Sequence, residues 1–167
     1  MNKRNIILIG MPGAGKSSVG VILAKVLGYE FIDTDLVIQH REKRLLREII
    51  ADEGNEGFLA IENEVNATLE ANKSVIAPGG SAIYGKEAME HFKEIGTIVY
   101  LKLSYEDLAK RLGNLKGRGV VLKEGQTLKD LYDERSKLYE QYAEITVDES
   151  GRDIQGTILA LRVQIGM

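Results

Sequence analysis

The chain has 167 residues, of which 44% are hydrophobic and 28% are charged, and its formal net charge at pH 7 is −3. This mild negative charge argues against a general nucleic-acid-binding protein, which would present a basic surface. The absence of cysteine excludes disulfides and thiol chemistry and fits a cytoplasmic location. No apolar run approaches the length that spans a membrane. We expect a single domain, residues 1–167, that acts on small molecules as a monomer.

Short apolar runs alternate with amphipathic helical patterns along the chain. This alternation predicts a three-layer α/β fold, in which helices cover both faces of a parallel sheet. The predicted strands are Asn5–Ile9, Glu30–Ile32, Ser74–Ala77, Thr97–Leu101 and Ile145–Val147. The predicted helices are Lys16–Leu27, Asp35–Glu42, Leu45–Asp52, Gly57–Ala71, Lys86–Glu94, Tyr105–Leu112, Thr127–Ala143 and Asp153–Ile165.

The first predicted strand leads into a glycine-rich stretch, Gly10–Ser17, with the spacing G-x-x-x-x-G-K-S. Between a strand and a helix, this spacing is typical of the P-loop that binds ATP or GTP. The glycines let the backbone curl so that several N–H groups point at a phosphate. Lys16 is expected to reach the β- and γ-phosphates, and Ser17 to bind Mg²⁺. The predicted nucleotide contacts in this stretch are Gly13, Ala14, Gly15, Lys16, Ser17 and Ser18.

Two carboxylates, Asp33 and Asp35, follow the second predicted strand. Ligands of parallel α/β sheets bind at the carboxyl ends of the strands, so both acids are expected to face the nucleotide. Asp33 is a candidate to hold Mg²⁺, and Asp35 to accept a hydrogen bond from a substrate hydroxyl and help remove its proton. The alternative is that one of them only caps the following helix, a role that aspartate often has.

The third predicted strand ends in a Pro78-Gly79-Gly80 turn. Adjacent glycines after a strand let a ligand approach the backbone closely, so Gly79 and Gly80 are candidate substrate contacts. A plain turn is the alternative.

A glycine-rich, basic interval, residues 113–125, interrupts the alternation of strands and helices. A loop of this length in a compact domain is often a functional lid. Together with Arg111, its Arg118 would bring positive charge over the phosphates. The alternative is an ordinary solvated surface loop.

Taken together, these motifs resemble the shikimate kinase family, within the nucleoside-monophosphate-kinase-like group of P-loop proteins. The resemblance covers nearly the whole chain and implies a five-stranded parallel sheet in the order 2-3-1-4-5. It implies that ATP, with Mg²⁺, phosphorylates a hydroxyl of a small cyclic polyol acid. The matching segments are Gly10–Ser17, Asp33–Asp35, Pro78–Gly80, Arg111, Arg118 and Arg135–Tyr139.

The resemblance also implies individual roles. Asp35 and Gly80 would contact substrate hydroxyls, and Arg135 the substrate carboxylate. Arg111 would pack on adenine, and Arg118 would close onto the phosphates with the lid. Spacing alone, however, favours the alternative that Arg135 is a surface residue that pairs with neighbouring acids on its helix.

The chain departs from the family at two places. The family's Phe-Arg-x-x-Glu stretch, whose arginine pairs with the substrate carboxylate, reads Phe58-Leu59-Ala60-Ile61-Glu62 here. The lid has Arg118-Gly119 where Arg-Pro is usual. Leu59 is either an ordinary exposed leucine or a pocket-lining residue. Losing the arginine leaves three hypotheses: a shikimate kinase, a kinase for another small metabolite (an amine, a sugar acid or a neutral polyol), and a non-catalytic ATP-binding regulatory protein.

Overall fold

The computed structural model describes residues 4–112 and 124–167. Its strands are β1 (Asn5–Ile9), β2 (Glu30–Asp33), β3 (Ser74–Ala77), β4 (Gly96–Lys102) and β5 (Ile145–Asp148). Its α-helices are α1 (Lys16–Leu27), α2 (Thr34–Glu42), α3 (Leu46–Ala67), α4 (Lys86–Ile95), α5 (Tyr105–Leu112), α6 (Leu128–Tyr142) and α7 (Ile154–Ile165), and a short 3₁₀-helix spans Ala82–Tyr84.

The five strands form one parallel sheet in the order β2-β3-β1-β4-β5. The predicted fold class and strand order are therefore confirmed. The central strand β1 shows why helices are needed on both faces. Ile7 and Ile9 pack into the core under α4, α5 and α6, whereas Ile6 and Leu8 pack into the core under α1 and α7. Because alternate residues of a strand point to opposite faces, the apolar residues 6–9 of β1 need a covering helix layer on each face of the sheet.

Helix α3 spans Leu46–Ala67, but a break at Gly54, whose φ of 74° and ψ of 176° are not helical, divides it into two helical segments. These segments correspond to the two predicted helices, Leu45–Asp52 and Gly57–Ala71, except that the second ends at Ala67 rather than at Ala71. A positive φ is strained for any residue with a side chain, so glycine permits the break. Helices α2 and α3 share a small core of their own, made by Ile38, Ile49, Phe58 and Val65.

None of the helices within residues 4–112 and 124–167 is both long and apolar enough to cross a membrane. Helix α5 is described as far as Leu112, and residues 113–123, which include Arg118 and most of the predicted lid, lie outside the described residues.

The side chain of Asn5 joins three parts of the fold at the amino-terminal edge of the sheet. It is 3% exposed, and its amide group donates to the carbonyl oxygens of Ala71 (3.0 Å) and Ile95 (2.9 Å). Its oxygen accepts from the backbone N–H of Ser74 at 3.0 Å. Each of these three backbone groups, which are buried or partly buried, would lose its partner if the amide were removed.

We therefore expect Asn5→Ala to lower the free energy of unfolding by about 3 kcal/mol, since each buried polar group left unpaired costs roughly 1–3 kcal/mol. Urea denaturation would measure the change. Gln155→Ala, at an exposed position of α7, is the matched control and should change stability by less than about 0.5 kcal/mol. Equal stability of the two variants would contradict this role of Asn5.

Candidate active site

The P-loop lies at the carboxyl end of β1 and ends in the first turn of α1. Gly13 and Gly15 have φ angles of 88° and 83°, and Gly15 precedes the first helical residue, Lys16. The Lys16 ammonium group is buried and donates to the carbonyl oxygens of Gly10 (2.7 Å) and Met11 (2.9 Å). Burial lowers the pKa of Lys16 to about 8, and Asp35 opposes this change. The loop is thus curled around its own lysine.

The two predicted acids stand at the carboxyl end of β2 and line the same cavity as the P-loop. Asp33 caps helix α2, because its carboxylate accepts the backbone N–H of Asp35 at 2.9 Å. The capping alternative is therefore correct for Asp33, which nevertheless faces the cavity. Burial raises the pKa of Asp35 to about 6, and the neighbouring Asp33 adds to the effect, while Lys16 opposes it. At neutral pH Asp35 is mainly ionised and able to accept a proton.

The turn after β3 lines the same cavity, between Asp35 and Arg135. A side chain at Gly79 would come within 2.9 Å of an Asp35 carboxylate oxygen, and one at Gly80 within 2.9 Å of the Arg135 guanidinium group. The carbonyl of Gly80 is fixed from behind by the Tyr139 hydroxyl, which donates to it at 2.7 Å. The glycines therefore keep open the space between the acids and the arginine.

Arg135 is 2% exposed, although it belongs to a helix with many charged residues. Its guanidinium carbon lies 5.5 Å from the centre of the Tyr84 ring, a cation–π contact, and it lines the cavity. The alternative of a solvated surface arginine is wrong. A buried guanidinium group facing a cavity is suited to bind an anionic ligand.

The structure does not bring Leu59 into the cavity. The residue is half-buried and packs against the α2–α3 core, whereas the preceding residue, Phe58, lines the cavity. Phe58 serves both the core and the cavity wall, a combination that helical periodicity does not reveal. Arg111 lines the nucleotide end, where its guanidinium group donates to the Gly13 carbonyl at 3.3 Å.

Two buried glutamates were not among the predicted site residues. Glu62 is 1% exposed, lines the cavity and accepts the Ser81 hydroxyl at 2.6 Å. Glu149 is 4% exposed and lies behind the P-loop, where burial raises its pKa to about 7 and Arg111 opposes the change. Glu149 directly follows β5, so the rule that strand carboxyl ends carry functional side chains would have found it.

One cavity of about 560 Å³ joins the P-loop to Asp33, Asp35, Glu62 and Arg135, whereas Glu149 does not line it. Most of the predicted nucleotide contacts that the structure describes line one end of this cavity, namely Gly13, Gly15, Lys16, Ser17, Ser18 and Arg111. Ala14 is fully buried and does not line it. The substrate candidates Asp35, Gly79, Gly80 and Arg135 lie at the other end. The cavity is lined by Pro12, Gly13, Gly15–Ser18, Asp33, Asp35, Leu46, Phe58, Glu62, Ala77–Ser81, Arg111 and Arg135.

The donor set fits Mg²⁺ bound together with a nucleotide. Ser17 offers a hydroxyl and Asp33 a carboxylate on the same cavity. Within the part of the chain that the structure describes, no group of three or more His, Cys, Asp or Glu side chains could hold a metal. This is the pattern of Mg²⁺ sites that use one or two protein ligands and complete the shell with phosphate and water.

The P-loop lies at the carboxyl end of the central strand of a parallel sheet, and it shares its cavity with a second group of polar side chains. These features define the molecule as a P-loop phosphotransferase for a small acceptor. Residues 12–162 match the family described as shikimate kinase. The chain belongs to the shikimate kinase family.

Relatives and solved structures agree with this assignment. "Shikimate kinase 2" of Yersinia enterocolitica is 34% identical over 154 residues, which cover 87% of this chain and 86% of the relative. A shikimate kinase from Acinetobacter baumannii in complex with shikimate is 32% identical, with a TM-score of 0.84 over 99% of this chain and 94% of that one. A shikimate kinase from Aquifex aeolicus is 28% identical, with a TM-score of 0.78 over 97% and 96%.

Proposed function

We propose that this protein transfers the γ-phosphate of ATP to a hydroxyl of shikimate, giving shikimate 3-phosphate and ADP. The observation that carries the proposal is the cavity that opens at one end on Lys16 of the P-loop and at the other on Asp35 and Arg135. Family membership and the shikimate complex of the Acinetobacter protein support the same acceptor.

The nucleotide end carries the phosphate contacts. The P-loop backbone and Lys16 bind the β- and γ-phosphates, with Gly13, Ala14, Gly15 and Ser18 contributing backbone groups around them. Bound Mg²⁺, held by the Ser17 hydroxyl and the Asp33 carboxylate, would neutralise charge on the phosphates. Arg111 packs on adenine. The role of Arg118, which lies outside the described residues, is to add positive charge at the transferring phosphate.

The acceptor end orients the attacking hydroxyl. Asp35 accepts a hydrogen bond from that hydroxyl and aligns it with the γ-phosphate, while the Gly79-Gly80 turn lets the acceptor lie close to the backbone. Arg135 holds the acceptor carboxylate. Transfer is therefore direct, in line, and depends on positioning and charge neutralisation. We further propose that the protein works as a monomer, as a single cytoplasmic domain spanning residues 1–167.

The test is ADP formation with ATP, Mg²⁺ and shikimate, with mass spectrometry of the acceptor to show one added phosphate. Saturable turnover of shikimate is expected. Arg135→Met should raise the KM for shikimate by about 10- to 100-fold, the equivalent of one charge-assisted hydrogen bond of roughly 1.5–3 kcal/mol, and leave the KM for ATP unchanged. Arg41→Met, at a half-exposed surface ion pair with Glu64, is the matched control. Turnover of other hydroxylated metabolites but not of shikimate would refute the proposal.

A further inference from the structure

Two buried polar atoms at the acceptor end have no hydrogen-bond partner among the described residues. They are Glu62 Oε2 and Arg135 Nε, on side chains that are 1% and 2% exposed. Burying polar groups without partners is costly, and both side chains line the cavity. An occupant of the acceptor end that contacts both atoms would remove that cost.

The two side chains are close enough to contact one small molecule. A side chain at Gly79 would lie 3.0 Å from Glu62 Oε2, and one at the next residue, Gly80, would lie 2.9 Å from the Arg135 guanidinium group. Glu62 and Arg135 therefore border adjacent residues of the same turn. A ligand group that lies over this turn would therefore have both side chains beside it.

The surroundings of Glu62 favour its neutral form. Oε1 accepts the Ser81 hydroxyl, which leaves Oε2 as the oxygen that can carry a proton toward the cavity. Asp35, on α2, places a carboxylate oxygen near the same point above Gly79. Burial raises the pKa of Glu62 to about 7 and Asp35 adds to the effect, whereas Ser81, Arg135 on α6 and Lys16 on α1 lower it.

We propose that Glu62 in its neutral form donates a hydrogen bond from Oε2 to the carboxylate of the acceptor, beside Arg135. This inference rests on the proposed function, because it takes an acid as the acceptor. Glu62 is then a second recognition group for that acid, at an end of the site where Leu59 supplies no charge. The described side chains of this end otherwise offer the acid one cation, Arg135.

The proposal gives the pH dependence a definite sign. The proton that makes the contact is lost as the pH rises through the pKa of Glu62. The KM for shikimate should therefore be low below about pH 7 and rise by roughly tenfold per pH unit above it. An ionised Glu62 that accepted a hydrogen bond from an acceptor hydroxyl would give the opposite trend, because its contact would strengthen as the pH rose.

The experiment is the KM for shikimate between about pH 6 and about pH 8.5, at saturating ATP and Mg²⁺, for the full chain and its variants. The KM for ATP is measured at each pH, because Lys16 titrates in the same range and affects the nucleotide. Asp35 has a pKa of about 6 and also contacts the acceptor, so the Glu62→Gln profile serves to separate its contribution from that of Glu62. Glu62→Gln, whose amide donates but cannot lose a proton, is expected to show no rise in the shikimate KM at high pH. Glu62→Leu should raise this KM about tenfold or more at the low end of the range. Glu56→Gln, at an exposed position of the same helix, should retain the wild-type profile.

Glu62→Gln also keeps the proposal testable if Glu62→Leu does not fold. It nearly preserves the volume of the side chain, and its amide oxygen can still accept the Ser81 hydroxyl.

The outcomes separate the two proposals. A wild-type KM for shikimate that is flat or falls with rising pH overturns the role of Glu62 but leaves shikimate phosphorylation standing. The role of Glu62 is also overturned if Glu62→Gln keeps the alkaline rise. If the wild-type chain turns over no shikimate at any pH, the proposed function fails, and the inference about Glu62 fails with it.

Discussion

Replacing Lys16 with alanine should lower kcat for shikimate phosphorylation by about 10²–10³-fold or more and also weaken ATP binding. The ammonium group donates to the Gly10 and Met11 carbonyls inside the P-loop. With nucleotide bound, the same group is positioned to contact the phosphates, where it offsets charge in both the ground state and the transition state. Its loss therefore affects both binding and turnover.

Titration calorimetry with ATP and steady-state ADP release would measure the two effects separately. Lys25→Ala is the matched control, since it removes an exposed lysine from the same helix, α1, without touching the cavity. Thermal melts would establish that Lys16→Ala is folded. A variant with near-normal turnover would show that this P-loop does not hold the reacting nucleotide.

Asp35→Asn is expected to lower kcat by about 10²–10⁴-fold, the usual contribution of a positioned general base. Asparagine fills nearly the same volume and can still accept a hydrogen bond, but it cannot take the proton of the attacking hydroxyl. The KM for ATP should change little, because the phosphate contacts lie in the P-loop. The effect should therefore appear in kcat with shikimate saturating.

The control for this substitution is Asp133→Asn, at a half-exposed position of α6 where the aspartate pairs with Lys129 at 2.7 Å. Rates near wild type in Asp35→Asn would remove its assignment as the base. A large rise in the KM for shikimate with an unchanged kcat would instead make Asp35 a binding residue only.

The parts of the molecule that depend on local sequence are predictable. The P-loop needs only eight consecutive residues, and the strands are short apolar runs bounded by turn residues. The strand order is a different matter, because it follows from the resemblance to a family rather than from the strands themselves. The two helical segments of α3 agree with the prediction of two helices, because the glycine between them, Gly54, is compatible with a break in a helical pattern.

The acceptor end is harder to predict, because its side chains are placed by contacts distant in sequence. In the sequence Glu62 stands out only as the neighbour of a missing arginine, and its partner Ser81 lies 19 residues away. Leu59 is a candidate pocket residue from the sequence, yet its side chain packs against the α2–α3 core and Phe58 lines the cavity instead. Spacing predicts which residues share a helix face, but not whether that face meets a core or a cavity.

Residues on both sides of Gly54 line the cavity. Leu46 lies before the break, and Phe58 and Glu62 lie after it, yet all three reach the acceptor compartment, while the nucleotide is served by the loop after β1. The two segments of α3 thus supply part of the cavity wall at the acceptor end. Substitutions in α3 can therefore change which acceptor the site prefers while the residues that bind the phosphates stay the same. The acceptor preference and the phosphate-binding residues of this fold can evolve independently.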